Sequence, residues 1–217
     1  MKFIAGDDTL IGHCISDNIK FILNNRNVKV IYSNMLIKKK NNEKRIIYPP
    51  EELISSNHII QYKRLLKDNW INAPTVFLNK KTLIEANGFN EKYSMIEDYP
   101  LWIKLFNLNI KWGYLNEVTV IYREHPDSLT NNMIGRNRKR YLISYLQVYR
   151  DIIYPELLRN HLFISFINFK IEHYVLKKYL IKNKNLKYLL HFKPSNILKY
   201  ARNFKKKKSG NSLYLHW

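Results

Sequence analysis

Two adjacent acids, Glu97 and Asp98, stand directly before an apolar stripe at Leu101, Trp102, Leu105 and Phe106. This juxtaposition constrains the chain more than any other stretch. The stripe has the three- and four-residue spacing of one helical face, so the acids fall at or just before a helix N-terminus. There the helix dipole stabilises negative charge, and a carboxylate can face a cleft, placed to take a proton from a hydroxyl. An acidic N-cap that serves only the helix is the competing reading. Upstream, Gly88 marks the stop of a short helix, because glycine takes the left-handed conformation that ends one. Phe89 then offers an aromatic anchor.

A second pair of acids lies near the start of the chain. Lys2 to Ala5 reads as the end of a buried strand, and Gly6-Asp7-Asp8 as the turn leaving it. In open α/β sheets ligands gather at the C-terminal ends of strands. Two carboxylates there can hold Mg²⁺ or Mn²⁺, which neutralises a nucleotide diphosphate; a solvated turn or a helix cap is the alternative.

Between the two acid pairs, Ile15, Ile19, Ile22 and Leu23 predict a helix over 11–24, with His13 and Cys14 as structural residues. Val28 to Ile37 predicts a strand with Val28, Val30 and Tyr32 alternating, Lys38 to Glu43 a polar hairpin, and Ile46 to Tyr48 a short returning strand. Glu51 to Asp68 reads as one amphipathic helix, with His58 on it as a structural residue. Asn72-Ala73-Pro74-Thr75 leads into a β-like run at Val76-Phe77-Leu78, and Asn79 caps a helix from Lys80 to Ala86. Beyond the acid-pair helix, Ile110 to Tyr114 and Val118 to Tyr122 predict two short strands. Arg123 and His125 follow, either binding a diphosphate through a planar fork of donors and an imidazole or forming a surface turn with Pro126-Asp127-Ser128.

The stretch Gly88-Phe89-Asn90-Glu91 with Glu97-Asp98-Tyr99-Pro100-Leu101-Trp102 resembles the G-F-D-E … E-D-x-x-L-W segment of family 2 glycosyltransferases of the GT-A fold. Ala5-Gly6-Asp7-Asp8, Asn72-Ala73-Pro74-Thr75 and Tyr122-Arg123-Glu124-His125 agree in order and approximate spacing. The resemblance is greatest to members that assemble polysaccharide and lipopolysaccharide. It implies that Asp98 is the catalytic base and that Glu97 orients Asp98 or the acceptor. It implies further that Asp7 and Asp8 hold a divalent metal, Asp8 nearest the ion, and that Arg123 and His125 stabilise the departing diphosphate.

The fold it implies is α/β: the C-terminal half of a GT-A (nucleotide-diphospho-sugar transferase) domain over residues 1–132, with a basic α-helical extension over 133–217. In the family a nucleotide-binding half precedes the metal motif. The expectation is therefore a truncated enzyme, or one that takes that half from a complementing chain or a homodimer.

Charge divides the chain in the same place. Residues 134–217 carry 19 Lys and Arg against 3 acids, which accounts for most of the net +20 and points to an anionic partner. Helices are predicted over 135–153, 155–181, 186–192 and 195–204, with Tyr141, Tyr145, Tyr149, Leu162, Phe166, Phe169 and His173 as packing residues. Lys205 to Lys208 read either as a solvated tail or as a contact with anionic lipid. The single cysteine, Cys14, allows no internal disulfide and suits a reducing compartment. The expected location is cytoplasmic, peripheral at the inner membrane face.

The activity expected is transfer of a sugar from a nucleotide-diphosphate sugar to a glycan or lipid-linked acceptor. Two other classes compete: a non-catalytic remnant or accessory subunit, and a basic nucleic-acid binder, for which no recognised motif is present.

Overall fold

The computed structural model describes residues 1–124 and 135–182. His125, the helices expected over 186–192 and 195–204, and Lys205 to Lys208 lie outside the described residues. The fold is mixed α/β, with one mixed sheet and about half of the described residues helical.

The sheet is built on β2 (Val30–Lys39), which pairs on both edges. On one side runs β5 (Trp112–Glu124), parallel, from Val30↔Trp112 to Lys39↔Glu124. On the other side two antiparallel strands share the edge: β4 (Phe77–Leu78) at its start and β3 (Lys44–Ile47) at its end. All residues from Val30 to Met35 are buried. The alternation expected for a half-buried strand is absent because β2 is covered on both faces as well as paired on both edges. The hairpin from β2 to β3 turns where expected, with Asn42 in the left-handed region at φ 64, a conformation asparagine tolerates.

Two expected strands are one. Across Ser33–Met35 the register slips twice, leaving Asn116, Glu117 and Thr119 without a counterpart on β2. A bulge therefore replaces the expected break, and β5 bends without ending. Side chains fill the irregularity: Asn34 Nδ2 donates to Asn116 Oδ1 at 3.1 Å, and the Ser33 and Thr119 hydroxyls bond at 2.6 Å.

The N-terminal segment is not the buried strand expected. Lys2 makes a single antiparallel bridge to Phe77, and Ile4 is 40% exposed. The chain then crosses to the opposite side, where β1 (Thr9–Leu10) lies antiparallel on β5 as Thr9↔Ile121 and Leu10↔Val120.

Helix α1 (Cys14–Asn24) buries Cys14 and Asn18 and leaves Ile15, Ile19 and Leu23 exposed. Of the expected apolar face, only Ile22 packs inward, beside Phe21 on Val28, Ile31, Phe77 and Leu115. The helix expected from Glu51 to Asp68 is broken into α2 (Glu51–Ile54) and α3 (His58–Leu65). Ser56 Oγ donates to the Leu53 carbonyl, and Asn57 Oδ1 accepts the Ile60 N–H at 3.0 Å. Side chains of this type compete with the backbone ladder and start a new helix. Helix α4 (Lys80–Glu85) is capped as expected, Asn79 Oδ1 accepting from the Lys81 and Thr82 N–H groups. Gly88, at φ 62, closes it with its N–H on the Leu83 carbonyl.

Helix α5 (Asp98–Asn107) forms the centre of the core, where Phe106 stacks on Trp112 at 5.0 Å and Trp102 meets Trp112 edge-on at 5.8 Å. α6 (Gly135–Val148) runs into a π-helical turn (Tyr149–Ile153), and α7 (Tyr154–Arg159) follows. Pro155 has no N–H to return to the ladder, which explains the widened turn just before it. Residues 160–162, with His161 at φ 56, separate α7 from α8 (Phe163–Lys182). Val148, Tyr149, Ile153, Leu157 and Phe169 belong to the same apolar cluster as Trp102, Phe106 and Trp112. Tyr62 adds a polar tie across it, donating to Glu156 Oε2 at 2.7 Å.

Candidate functional site

Three of the residues predicted from sequence meet at one corner of the sheet. The turn Gly6–Asp7 is closed by the Asp8 N–H on the Ala5 carbonyl at 3.1 Å, which swings the Asp8 carboxylate toward the end of β5. There Asp8 Oδ1 accepts the backbone N–H of Arg123 at 3.1 Å. The Arg123 guanidinium donates to Thr9 Oγ1 at 2.6 Å. Asp8 is buried and Asp7, beside it, is exposed. Strand β1, pairing on β5 in register, brings the two motifs together across 115 residues of sequence. Thr9 is a member of this corner that sequence reasoning missed; its only signal was its place after the acid pair.

Among the described residues no group of three or more His, Cys, Asp and Glu is arranged to hold a metal ion. Two adjacent carboxylates are nevertheless a donor set of the kind Mg²⁺ uses when substrate phosphates complete its coordination. Asp7 and Asp8 fit that shared mode and do not form an all-protein cage.

The second acid pair sits on a different element. Glu97 occupies the N-cap position of α5 but is exposed and makes no side-chain capping bond, so it does not serve the helix as an acidic cap would. Asp98, the first helical residue, is partly buried, and its Oδ2 accepts from Asn69 Nδ2 at 3.3 Å. Burial raises the Asp98 pKa, and the Glu97 charge adds to this. The Tyr99 N–H, the Asn69 amide and the Trp102 indole hold the rise back. A carboxylate raised by burial is a stronger proton acceptor than one in water. Asn69, in the loop four residues beyond α3, carried no sequence signal for this role.

The approach to the pair is strained and anchored. Met95 lies in the left-handed region at φ 75, which a non-glycine residue adopts at a cost of about 1–3 kcal/mol. Phe89 provides the expected anchor, meeting Phe3 edge-on at 5.1 Å. That contact binds the segment before Glu97 to the segment before Asp7. Helix α6 and the π-helical turn after it carry a tyrosine ladder, Tyr141 on Tyr145 at 6.2 Å and Tyr145 on Tyr149 at 4.5 Å. Burial raises the Tyr141 phenol first, with Asp98 and Asp68 adding to it, so the phenol sits within the field of the Asp98 carboxylate.

His58 and Cys14 hold structural places, whereas His13 is exposed and pairs with Asp17 Oδ2. His58 Nε2 bonds the Phe106 carbonyl at 2.9 Å, and the Cys14 carbonyl accepts the Asn18 amide at 2.7 Å. A cavity of about 550 Å³ lies between α6 and α8, and one of about 330 Å³ beside α3 and α7. Neither is lined by Asp7, Asp8, Glu97, Asp98 or Arg123.

Compared with known proteins, the chain matches no family model and no curated sequence.

Proposed function

We infer that this chain is a glycosyltransferase of the inverting, metal-dependent type. It transfers a sugar from a nucleotide-diphosphate sugar to a glycan or lipid-linked acceptor in cell-surface polysaccharide synthesis. The fold this reading entails is the C-terminal half of a GT-A domain followed by a basic helical extension, and the mixed α/β sheet lends it support. The observation that carries the reading is the corner at which Arg123 and Asp8 bond. It gathers an acid pair and a guanidinium on one strand end, while a second acid with a raised pKa stands on another element.

The chemistry needs negative charge neutralised at a leaving diphosphate and a base for the attacking hydroxyl. Asp7 and Asp8 would hold a Mg²⁺ or Mn²⁺ ion, which supplies that neutralisation when bound. Arg123 orients the diphosphate through its fork of donors, and His125 joins it in this proposal. Asp98 takes the proton of the acceptor hydroxyl at Oδ1 or Oδ2, with Asn69 fixing the plane of the carboxylate. Glu97, exposed beside it, orients the acceptor.

A second reading has support of its own. Ile15, Ile19 and Leu23 form an exposed apolar stripe on α1, at 47%, 44% and 66% exposure. Such a stripe favours a chain that works against a complementing polypeptide or a second copy, as an accessory subunit or a partner-dependent enzyme. Transfer assays on the wild-type chain alone and on Asp98→Asn separate the two. The enzymatic reading expects transfer by the wild type alone and a loss of about 10²–10⁴-fold in the variant, whereas the accessory reading expects no transfer from the wild type until a complementing chain is added. Undiminished transfer by the variant contradicts the enzymatic reading.

A further inference from the structure

Helix α8 is apolar on two faces, and the described residues cover one of them. Phe169, Glu172, His173 and Leu176 point into the protein. Phe163, Ile164, Ile167, Ile171 and Tyr174 recur at three- and four-residue intervals on the other side. Their exposures are 53%, 78%, 55%, 50% and 59%. Three isoleucines and two aromatics along one exposed helical face form a patch that a water-facing helix has no reason to carry.

Its surroundings are cationic. Lys178 stands over the Tyr174 ring at 4.6 Å, and Lys170 over Tyr154 at 4.4 Å. Lys170 and Lys177 line the 550 Å³ cavity between α6 and α8, together with Arg150 and Gln147. The acids of residues 134–217 are Asp151, Glu156 and Glu172. Glu156 and Glu172 are buried, and Asp151 is ion-paired with Arg150 at 2.6 Å and Lys92 at 2.8 Å. No exposed, uncompensated carboxylate therefore offsets the lysines among the described residues of this segment. With its second apolar face packed into the protein, α8 presents outward isoleucine and aromatic side chains, with Lys170 and Lys177 beside them and Lys178 at their C-terminal end, a surface that combines apolar contact with positive charge. No described helix is long and apolar enough to cross a membrane.

We propose that the exposed face of α8 docks on an anionic phospholipid membrane. Ile164, Ile167 and Ile171 enter the headgroup–acyl boundary, Lys170, Lys177 and Lys178 meet lipid phosphates, and the groove between α6 and α8 admits one headgroup. The occupant is set by charge complementarity: the face is apolar at its centre and positive at its edge, as an anionic bilayer surface is apolar beneath and negative above. The inference stands apart from the sugar-transfer reading and holds whether or not the chain is an enzyme.

The test is co-sedimentation of the full chain with vesicles of phosphatidylcholine alone and of phosphatidylcholine with one-third phosphatidylglycerol. Binding at least tenfold tighter to the anionic vesicles is expected, falling at least tenfold in Ile167→Glu/Ile171→Glu and in Lys170→Gln/Lys177→Gln. A variant with Lys205 to Lys208 all changed to Gln keeps most of the affinity. Circular dichroism checks each fold, and if the isoleucine variant unfolds, the lysine variant decides. Four outcomes overturn the proposal. These are equal binding to both vesicles, loss only in the Lys205–Lys208 variant, binding of glycerol phosphate without any binding to vesicles, and a self-association that the isoleucine changes abolish without vesicle binding by the wild type.

Discussion

The backbone N–H of Arg123 donates to Asp8 Oδ1 at 3.1 Å, so the end of the longest strand is held by a carboxylate from the first turn of the chain. Because Asp8 is buried, this bond is structural as well as electrostatic. Asp8→Asn retains an acceptor and should leave unfolding free energy within about 1 kcal/mol of the wild type. Asp8→Ala strands the N–H and should cost about 1–3 kcal/mol. Denaturant melts distinguish the two. Both variants should lose metal-dependent nucleotide binding, and retention of that binding by Asp8→Ala would remove Asp8 from the site.

Asp98 sets stability against chemistry. Its pKa is raised by burial, so between the unfolded and folded values the native state holds a proton that the unfolded state has lost. Its stabilising contribution is therefore complete below the unfolded pKa and is lost as pH rises through the folded value. At neutral pH the charged carboxylate is a burden that Asp98→Asn relieves. The expected result is a variant at least as stable as the wild type at pH 7, with transfer reduced by about 10²–10⁴-fold, the usual worth of a general base. A variant that loses stability and keeps transfer would show a structural carboxylate instead.

Glu172 and His173 make the helical segment sensitive to pH in opposite directions. Burial raises Glu172 from 4.5 to about 8 and lowers His173 from 6.5 to about 4. His173 adds stability as pH rises from about 4 to 6.5, while Glu172 removes it from 4.5 to about 8. The two oppose one another up to 6.5, and above that the Glu172 loss stands alone. Thermal melts should therefore fall from pH 6.5 to 8 in the wild type and stay level in Glu172→Gln. An identical fall in the variant would assign the slope to another group.

Gly113 in β5 leaves room for the ring that seats α1. A Cβ there would come within 2.7 Å of Phe21 Cε1 and 3.0 Å of Val28 Cγ1. Gly113→Ala should destabilise the fold by about 1–3 kcal/mol through overpacking, and Phe21→Leu in the same chain should recover part of the loss. Additive effects of the two changes would mean that they do not share the contact.

Much of the fold was legible because local chemistry and tertiary structure agreed. Asn79 caps α4, Gly88 ends it, and the stripe Leu101, Trp102, Leu105 and Phe106 faces the core. What was not legible depended on partners distant in sequence. The two strands expected around Leu115 are one because β2 holds both halves through a bulge. Glu51 to Asp68 is two helices because Ser56 and Asn57 take backbone groups for themselves. The apolar positions of α1 were visible, but their exposure was not. At the candidate site the acids and Arg123 carried a signal in sequence, whereas Thr9 and Asn69 acquire their roles only through folding.

Calorimetric titration of the purified chain with a panel of sugar nucleotides, with and without Mn²⁺, tests the central claim most directly. Heat of binding is expected for one donor, present with the ion and absent without it, and abolished in Asp8→Ala. No heat with any donor, from a sample shown by circular dichroism to be folded, would contradict the donor site at the Asp8–Arg123 corner.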